Sequence, residues 1–345
     1  MVAILDVFSS GVCAILCAAK QVTYTEFKFR APPRYIGGTM TSLALALLVS
    51  AAPAQEPPVR VFILAGQSNM VGHGFIAANP ERNGGKGSLE YVVSAPGAPP
   101  LYRRLKDSDG EWRVRDDVFI DYFDRKGNLT VGYGAGKDTI GPELGFGHVV
   151  GDALEEPVLL IKLAWGGRSL AVDFRPPSSG GTVGPTYTEM IRGAKKAMAD
   201  AETNFPQWKG RRFVISGFGW HQGWNDRING DYVAEYQTNM ANFIGDVRRD
   251  LKAIGMPFVI AETGMGGREE TNERALALMK AQAAVAEQPE FEGNVAFVGT
   301  RGFWRSPDQS PSDQGYHWNQ NGETYFLIGD AMGRAMVKLM DEAAR

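Results

Sequence analysis

The chain has 345 residues, 44% of them hydrophobic and 22% charged, with a net charge of −3. That length holds one large α/β domain or two small ones, with a substantial core in either case. The slightly acidic balance offers no footprint for nucleic acid or for an anionic membrane surface.

The N-terminal stretch reads separately from the rest. Residues 43–52, LALALLVSAA, form an apolar run too short to span a bilayer. Ala52, Pro53 and Ala54 then give the small-residue cleavage pattern of a secretory signal. Residues 1–54 are therefore expected to be a signal or precursor segment cleaved near Ala54, with Met40 as an alternative start. The product would be secreted or periplasmic, without stable membrane insertion. An uncleaved N-terminal anchor is the competing reading. Both cysteines, Cys13 and Cys17, precede the cleavage point, so the mature protein would hold no disulfide or thiolate-bound metal.

From there the chain reads as one domain over 57–345. Five short apolar runs stand at 59–66 (VRVFILAG), 157–165, 212–220, 256–263 and 294–300. Their near-continuous hydrophobicity is that of parallel strands covered on both faces. Helical patterns occupy 141–154, 186–202, 231–255, 272–288 and 321–345, the third expected to stop at Gly255. Alternating strands and helices predict a three-layer α/β/α domain around a five-stranded, mainly parallel sheet. Residues 75–140 are rich in Gly, Pro, Asp and Tyr and lack long periodicity, so they read as a loop-rich insertion with short strands of its own.

In open α/β sheets, ligands collect beyond the carboxyl ends of the strands. Four polar stretches stand there or in a late loop: GQSNM at 66–70, GGRS at 166–169, WHQGWND at 220–226 and DQGYH at 313–317. Ser68 becomes a nucleophile only if a base takes its proton. Of the four histidines, His148 lies inside a helical pattern and reads as structural. His73 either faces the site or caps a turn. His317, on a polar loop, is the best-placed base, with His221 next. Backbone N–H groups of Ser68, Gly166 and Gly167 and the amides of Gln222 and Asn225 are candidate oxyanion donors. Met70 occupies the last position of GQSNM, which excludes the G-x-S-x-G nucleophile elbow. No P-loop or paired-histidine metalloprotease motif is present, and no metal or organic cofactor is expected.

GQSNM with GGRS, WHQGWND and the late DQGYH resembles the SGNH (GDSL-like) hydrolase superfamily, and within it the sialate O-acetylesterase-like and acetylxylan-esterase-like carbohydrate esterases. The likeness runs from about residue 59 to 340. It implies a flavodoxin-like fold with Ser68 as nucleophile, Gly166 or Gly167 as an oxyanion donor, Gln222 as the amide donor with Asn225 its rival, and His317 as base. The superfamily has Asp three residues before that histidine. Here Gln314 fills the position and Asp313 stands one place earlier. Asp313 is the expected third member, with Asp226 or a Ser–His dyad as alternatives. The implied substrate is an O-acetylated carbohydrate, a xylan, another glycan or sialic acid, contacted by Gln67, Asn69, Arg168, His221, Trp224 and Trp318. The rival readings are an esterase for lipid or aryl esters and a non-catalytic glycan-binding protein.

Overall fold

The computed structural model describes residues 56–343; the expected signal segment lies outside them. In chain order the regular elements are β1 (Val59–Gly66), α1 (Ser68–Val71), β2 (Gly74–Phe75), α2 (Leu89–Val93), α3 (Pro100–Arg103), β3 (Val118–Tyr122), β4 (Arg125–Asn128), β5 (Thr139–Ile140), α4 (Pro142–Ala153), β6 (Val158–Ala164), α5 (Pro185–Asn204), β7 (Phe213–His221), α6 (Gly230–Asp250), β8 (Phe258–Ala261), α7 (Glu273–Ala286), β9 (Val295–Val298) and α8 (Gly322–Ala343).

The main sheet has seven strands in the order β4-β3-β6-β1-β7-β8-β9. All neighbours pair in parallel except the β3–β4 hairpin at one edge. The five strands expected from the sequence are all present. The expected count of five falls short because the 75–140 insertion contributes β3 and β4. The hairpin escapes sequence reading because its turn holds Phe123 at φ 55, where a glycine or asparagine would signal the turn.

Why β1 is apolar at nearly every position follows from its two covered faces. Val59, Val61, Ile63 and Ala65 pack with α5, α6 and α7 through residues such as Met190, Phe243 and Leu278. Phe62 and Leu64 pack on the opposite face with Phe146 of α4 and Met332 and Met336 of α8. Each fully buried side chain of this size contributes about 1.5–3 kcal/mol relative to exposure. Among the described residues no helix is long and apolar enough to cross a membrane.

The helix α6 ends at Asp250 rather than running to Gly255. Lys252 takes the left-handed conformation at φ 55. Arg248 donates to the Met256 carbonyl at 2.8 Å and to Asn294 Oδ1 at 2.6 Å, which draws the chain back toward the sheet before the glycine is reached.

At the carboxyl edge β1 lies between β6 and β7, with Gly66 opposite both Ala164 and His221. Gly66 has φ +154, and a Cβ there would lie 2.2 Å from the His221 carbonyl oxygen. Only glycine lets the chain leave β1 at this spot and turn at once into α1, which begins at Ser68.

Candidate active site

Ser68 is half-buried at the head of a four-residue helix. Around it, side-chain hydrogen bonds tie the strand-tip loops into one unit. Gln67 Oε1 accepts the backbone N–H of Gly223 at 3.0 Å and of Asn225 at 3.2 Å, joining the β1 and β7 tips. Asn225 Nδ2 donates to the Gly167 carbonyl at 2.8 Å, joining the β7 and β6 tips. Asn69 Nδ2 donates to the Tyr316 carbonyl at 3.2 Å, and the Tyr325 hydroxyl of α8 donates to Asn69 Oδ1 at 2.9 Å. The loop before α8 is thereby held against α1, which begins at Ser68. The four polar stretches meet.

His317 completes the approach in an unexpected way. Its ring lies face to face on His73, with centroids 3.8 Å apart and planes at 8°. Burial and the adjacent His73 push His317 down to about 4. Its Nδ1 is buried without a hydrogen-bond partner. Asp313 is exposed and its carboxylate does not bond to this ring; Gly315 N–H instead bonds the Asp313 backbone carbonyl at 2.8 Å. With one residue more between acid and histidine than in D-x-x-H, the turn at 313–317 leaves the carboxylate exposed. No direct hydrogen bond joins the Ser68 hydroxyl to His317; such contacts often tighten only when substrate binds.

Asp226, the other expected acid, serves elsewhere. It accepts the N–H groups of Leu170 and Ala171, both at 2.9 Å, and Gln222 Nε2 at 2.5 Å. Burial raises it to about 6 against the pull of those donors. Gln222 Nε2 also donates to the Arg168 carbonyl at 2.9 Å. Both of its N–H groups are committed, so Gln222 braces the turn rather than facing an oxyanion. Asn225 has one N–H left over. Gly166 and Gly167 are exposed, and a Cβ on Gly166 would meet nothing within 4 Å. Their N–H groups and that of Ser68 bond no backbone carbonyl among the described residues.

The expected substrate contacts divide by burial. Gln67, Asn69 and His221 are 1–2% exposed and Trp318 is 0%; these four hold the frame instead of lining it. Trp318, at φ 53 in a run of left-handed residues through Gln320, turns into the core against Trp304 and His221. Neither ring nitrogen of His221 has a partner, and burial pushes that histidine down to about 3. Trp224 and Arg168 remain at the surface. Trp224 stands 6.2 Å from Tyr316, with Arg227 stacked 3.4 Å over its ring. Arg168 pairs with Asp173 at 3.0 Å. His148 lies buried inside α4, with burial pushing it down to about 3.

Two residues at the site went unremarked in the sequence. Lys162, in the middle of β6, is fully buried and donates to Glu143 Oε2 at 2.6 Å, the Val71 carbonyl at 2.8 Å and the Tyr133 carbonyl at 2.7 Å. Glu143 Oε1 accepts the Gly141 N–H at 2.8 Å. This ion pair grips the last residue of α1 from beneath. A lysine inside an otherwise apolar strand, VLLIKLA, was the signal.

Because His148 and His221 sit near 3 and His317 near 4 in the folded protein, against about 6.5 unfolded, the unfolded chain binds more protons throughout that interval. Stability is thus complete above about pH 6.5 and falls as pH drops toward 4. Asp226, raised, works in the opposite sense between its folded and unfolded values, but one carboxylate does not outweigh three imidazoles. Denaturant titrations at pH 7.5 and 4.5 should show a loss on the order of a few kcal/mol. A flat profile would refute the burial of these rings in neutral form.

Comparison with known proteins places this architecture. Residues 58–338 match the family model described as carbohydrate esterase, sialic acid-specific acetylesterase. A probable carbohydrate esterase from Arabidopsis thaliana is 25% identical over 214 residues, covering 61% of this chain and 71% of that protein. A crystal structure of an Arabidopsis thaliana protein superposes with a TM-score of 0.53 at 17% identity, over 81% of this chain and 98% of that one, a likeness of fold. Fold and family together define a carbohydrate O-acetylesterase. The chain belongs to the sialic acid-specific acetylesterase family of carbohydrate esterases.

Proposed function

We propose that the protein is a serine esterase of the SGNH type, working through Ser68 and His317 without a carboxylate partner, on an O-acetylated glycan or sialic acid. The observation that carries this reading is the hydrogen-bonded unit that gathers Ser68, Gly167, Asn225 and the His317 loop at one end of the sheet. His317 takes the Ser68 proton as Oγ attacks the acetyl carbonyl. The N–H groups of Ser68 and Gly166 or Gly167 and the spare N–H of Asn225 hold the oxyanion. His317 then protonates the departing sugar hydroxyl, and water, deprotonated by the same imidazole, releases acetate. Trp224 and Tyr316 offer aromatic faces at the mouth, the kind of surface on which a pyranose ring stacks. The residue 43–54 pattern, outside the described residues, supports export as part of the proposal.

Acetate release from acetylated xylan, and separately from O-acetylated sialic acid, tests the reading. Wild type should act on at least one and Ser68→Ala on neither; activity surviving in that variant removes Ser68 as nucleophile. Asn225→Ala is expected to lower kcat by about 10²–10³-fold with little change in KM or melting temperature. Gln222→Ala should instead lower the melting temperature, since it leaves Asp226 short of a donor. Equal kinetic losses in the two variants, with equal melting, would contradict this division of roles.

A further inference from the structure

We propose that His73 is the positioning residue for the catalytic base, its imidazole face taking the place that a carboxylate holds in a triad. The inference rests on the dyad reading above and concerns how the base is held. A catalytic imidazole needs its ring plane fixed, since a displacement of about 1 Å costs on the order of 10²-fold in rate. An acid fixes it by a hydrogen bond to Nδ1. Here that nitrogen is buried and unpartnered, and Asp313 is turned away to solvent. What does touch the ring is His73, parallel at 8° with a centroid distance of 3.8 Å. Tyr316 flanks it more loosely at 4.5 Å and 58°.

His73 is itself well placed to act as a fixed wall. It follows α1 by two residues, between the left-handed Gly72 and β2. Val71 beneath it is gripped by the buried Lys162, and Gly72 is clamped on Gly141, where a Cβ would come within 2.1 Å of the Gly141 Cα. The wall and the nucleophile thus belong to one short rigid segment. Aligning His317 on His73 aligns it on Ser68.

The same stack adds to the effect of burial on the charge state of the base. Two imidazoles in face contact resist sharing two protons, and His73 lowers His317 further after the larger effect of burial. His73 is lowered in turn by burial and then by Lys162. The other ionisable groups around the stack are Glu143 of α4, paired with Lys162, Tyr325 of α8, pushed well up by burial, His221 of β7 behind Trp318, and Asp313 and Tyr316 on the histidine's own loop. None places a carboxylate against His317. Burial first, and the paired ring second, keep the base neutral well below the usual histidine range.

The test compares wild type, His73→Ala and His73→Phe, with p-nitrophenyl acetate as the kinetic probe and NMR titration of the His317 ring. His73→Ala should lower kcat by about 10–100-fold while KM changes little. The acid limb of kcat/KM and the His317 titration should both move up, by about one pH unit or more. His73→Phe keeps a flat face and the burial but not the second imidazole's repulsion, so it should restore kcat to within about threefold while the limb moves up less than in His73→Ala. Wild-type kinetics and titration in His73→Ala would overturn the proposal. So would a His73→Phe enzyme as slow as His73→Ala, which would make the ring nitrogens rather than the face the working part. Should wild type release no acetate at all, the esterase reading fails, yet the NMR titration still decides whether His73 governs His317.

Discussion

His317→Ala is expected to lower kcat for acetate release by roughly 10⁴–10⁶-fold, the scale seen when a nucleophile or its base is removed from an enzyme of this kind. The fold should be unaffected, because His317 sits on a half-buried loop and contributes no side-chain hydrogen bond to the core. Its neighbours carry that load: Trp318 is packed inside, and Asn319 Nδ2 donates to the Arg305 carbonyl at 2.9 Å. Ser68→Ala should cost a similar factor, and the double variant little more than either alone, since nucleophile and base act as one unit. Circular dichroism and a thermal melt control for folding. If His317→Ala kept more than about a tenth of wild-type kcat, a loss under 1.4 kcal/mol in barrier, another group would have to be the base.

Glu143→Ala is expected to be the most damaging single change to stability. It leaves the Lys162 ammonium, fully buried, with two carbonyls and no counter-charge. Breaking a buried pair from one side costs about 3–5 kcal/mol. At about 2–4 °C per kcal/mol for a domain approaching this size, melting should fall by roughly 6–20 °C. The pH dependence is diagnostic. Burial already lowers Lys162, with Glu143 opposing that effect, so losing the carboxylate lowers it further. The unfolded chain, titrating near 10.4, then binds a proton that the folded variant does not, and stability of the variant relative to wild type should rise as pH climbs toward that value. Activity should fall as well, because Lys162 holds the Val71 carbonyl at the end of α1, the helix that begins at Ser68. A Glu143→Ala melt within about 2 °C of wild type, under 1 kcal/mol, would show that the pair carries little.

Much of this molecule can be read from local pattern. The five continuous apolar runs are parallel strands because both faces of the sheet are covered, and continuous apolarity is how such burial is written in one dimension. The positions of Ser68, Gly167, Asn225 and His317 follow from the same rule, since polar residues just past a buried strand must lie at its open end. The β3–β4 hairpin is harder to see. Its turn carries a left-handed phenylalanine, a conformation no local preference announces. β3 itself is held in the sheet by its parallel pairing with β6.

Local pattern alone places the layered architecture and the strand-end and late-loop positions of Ser68 and His317, because these depend on hydrophobic period and on residue type at strand ends. Which polar side chains are tied up in hydrogen bonds depends on packing in three dimensions. Gln222 and Asn225 are chemically alike and three residues apart, but Asp226 captures one and leaves the other an open N–H. Asp313 is the expected partner of His317, but the turn before α8 leaves its carboxylate exposed and lays the His317 ring on His73. Hydrogen bonding and stacking reach only a few ångströms through space, and which groups come within that reach is settled by packing between segments up to hundreds of residues apart.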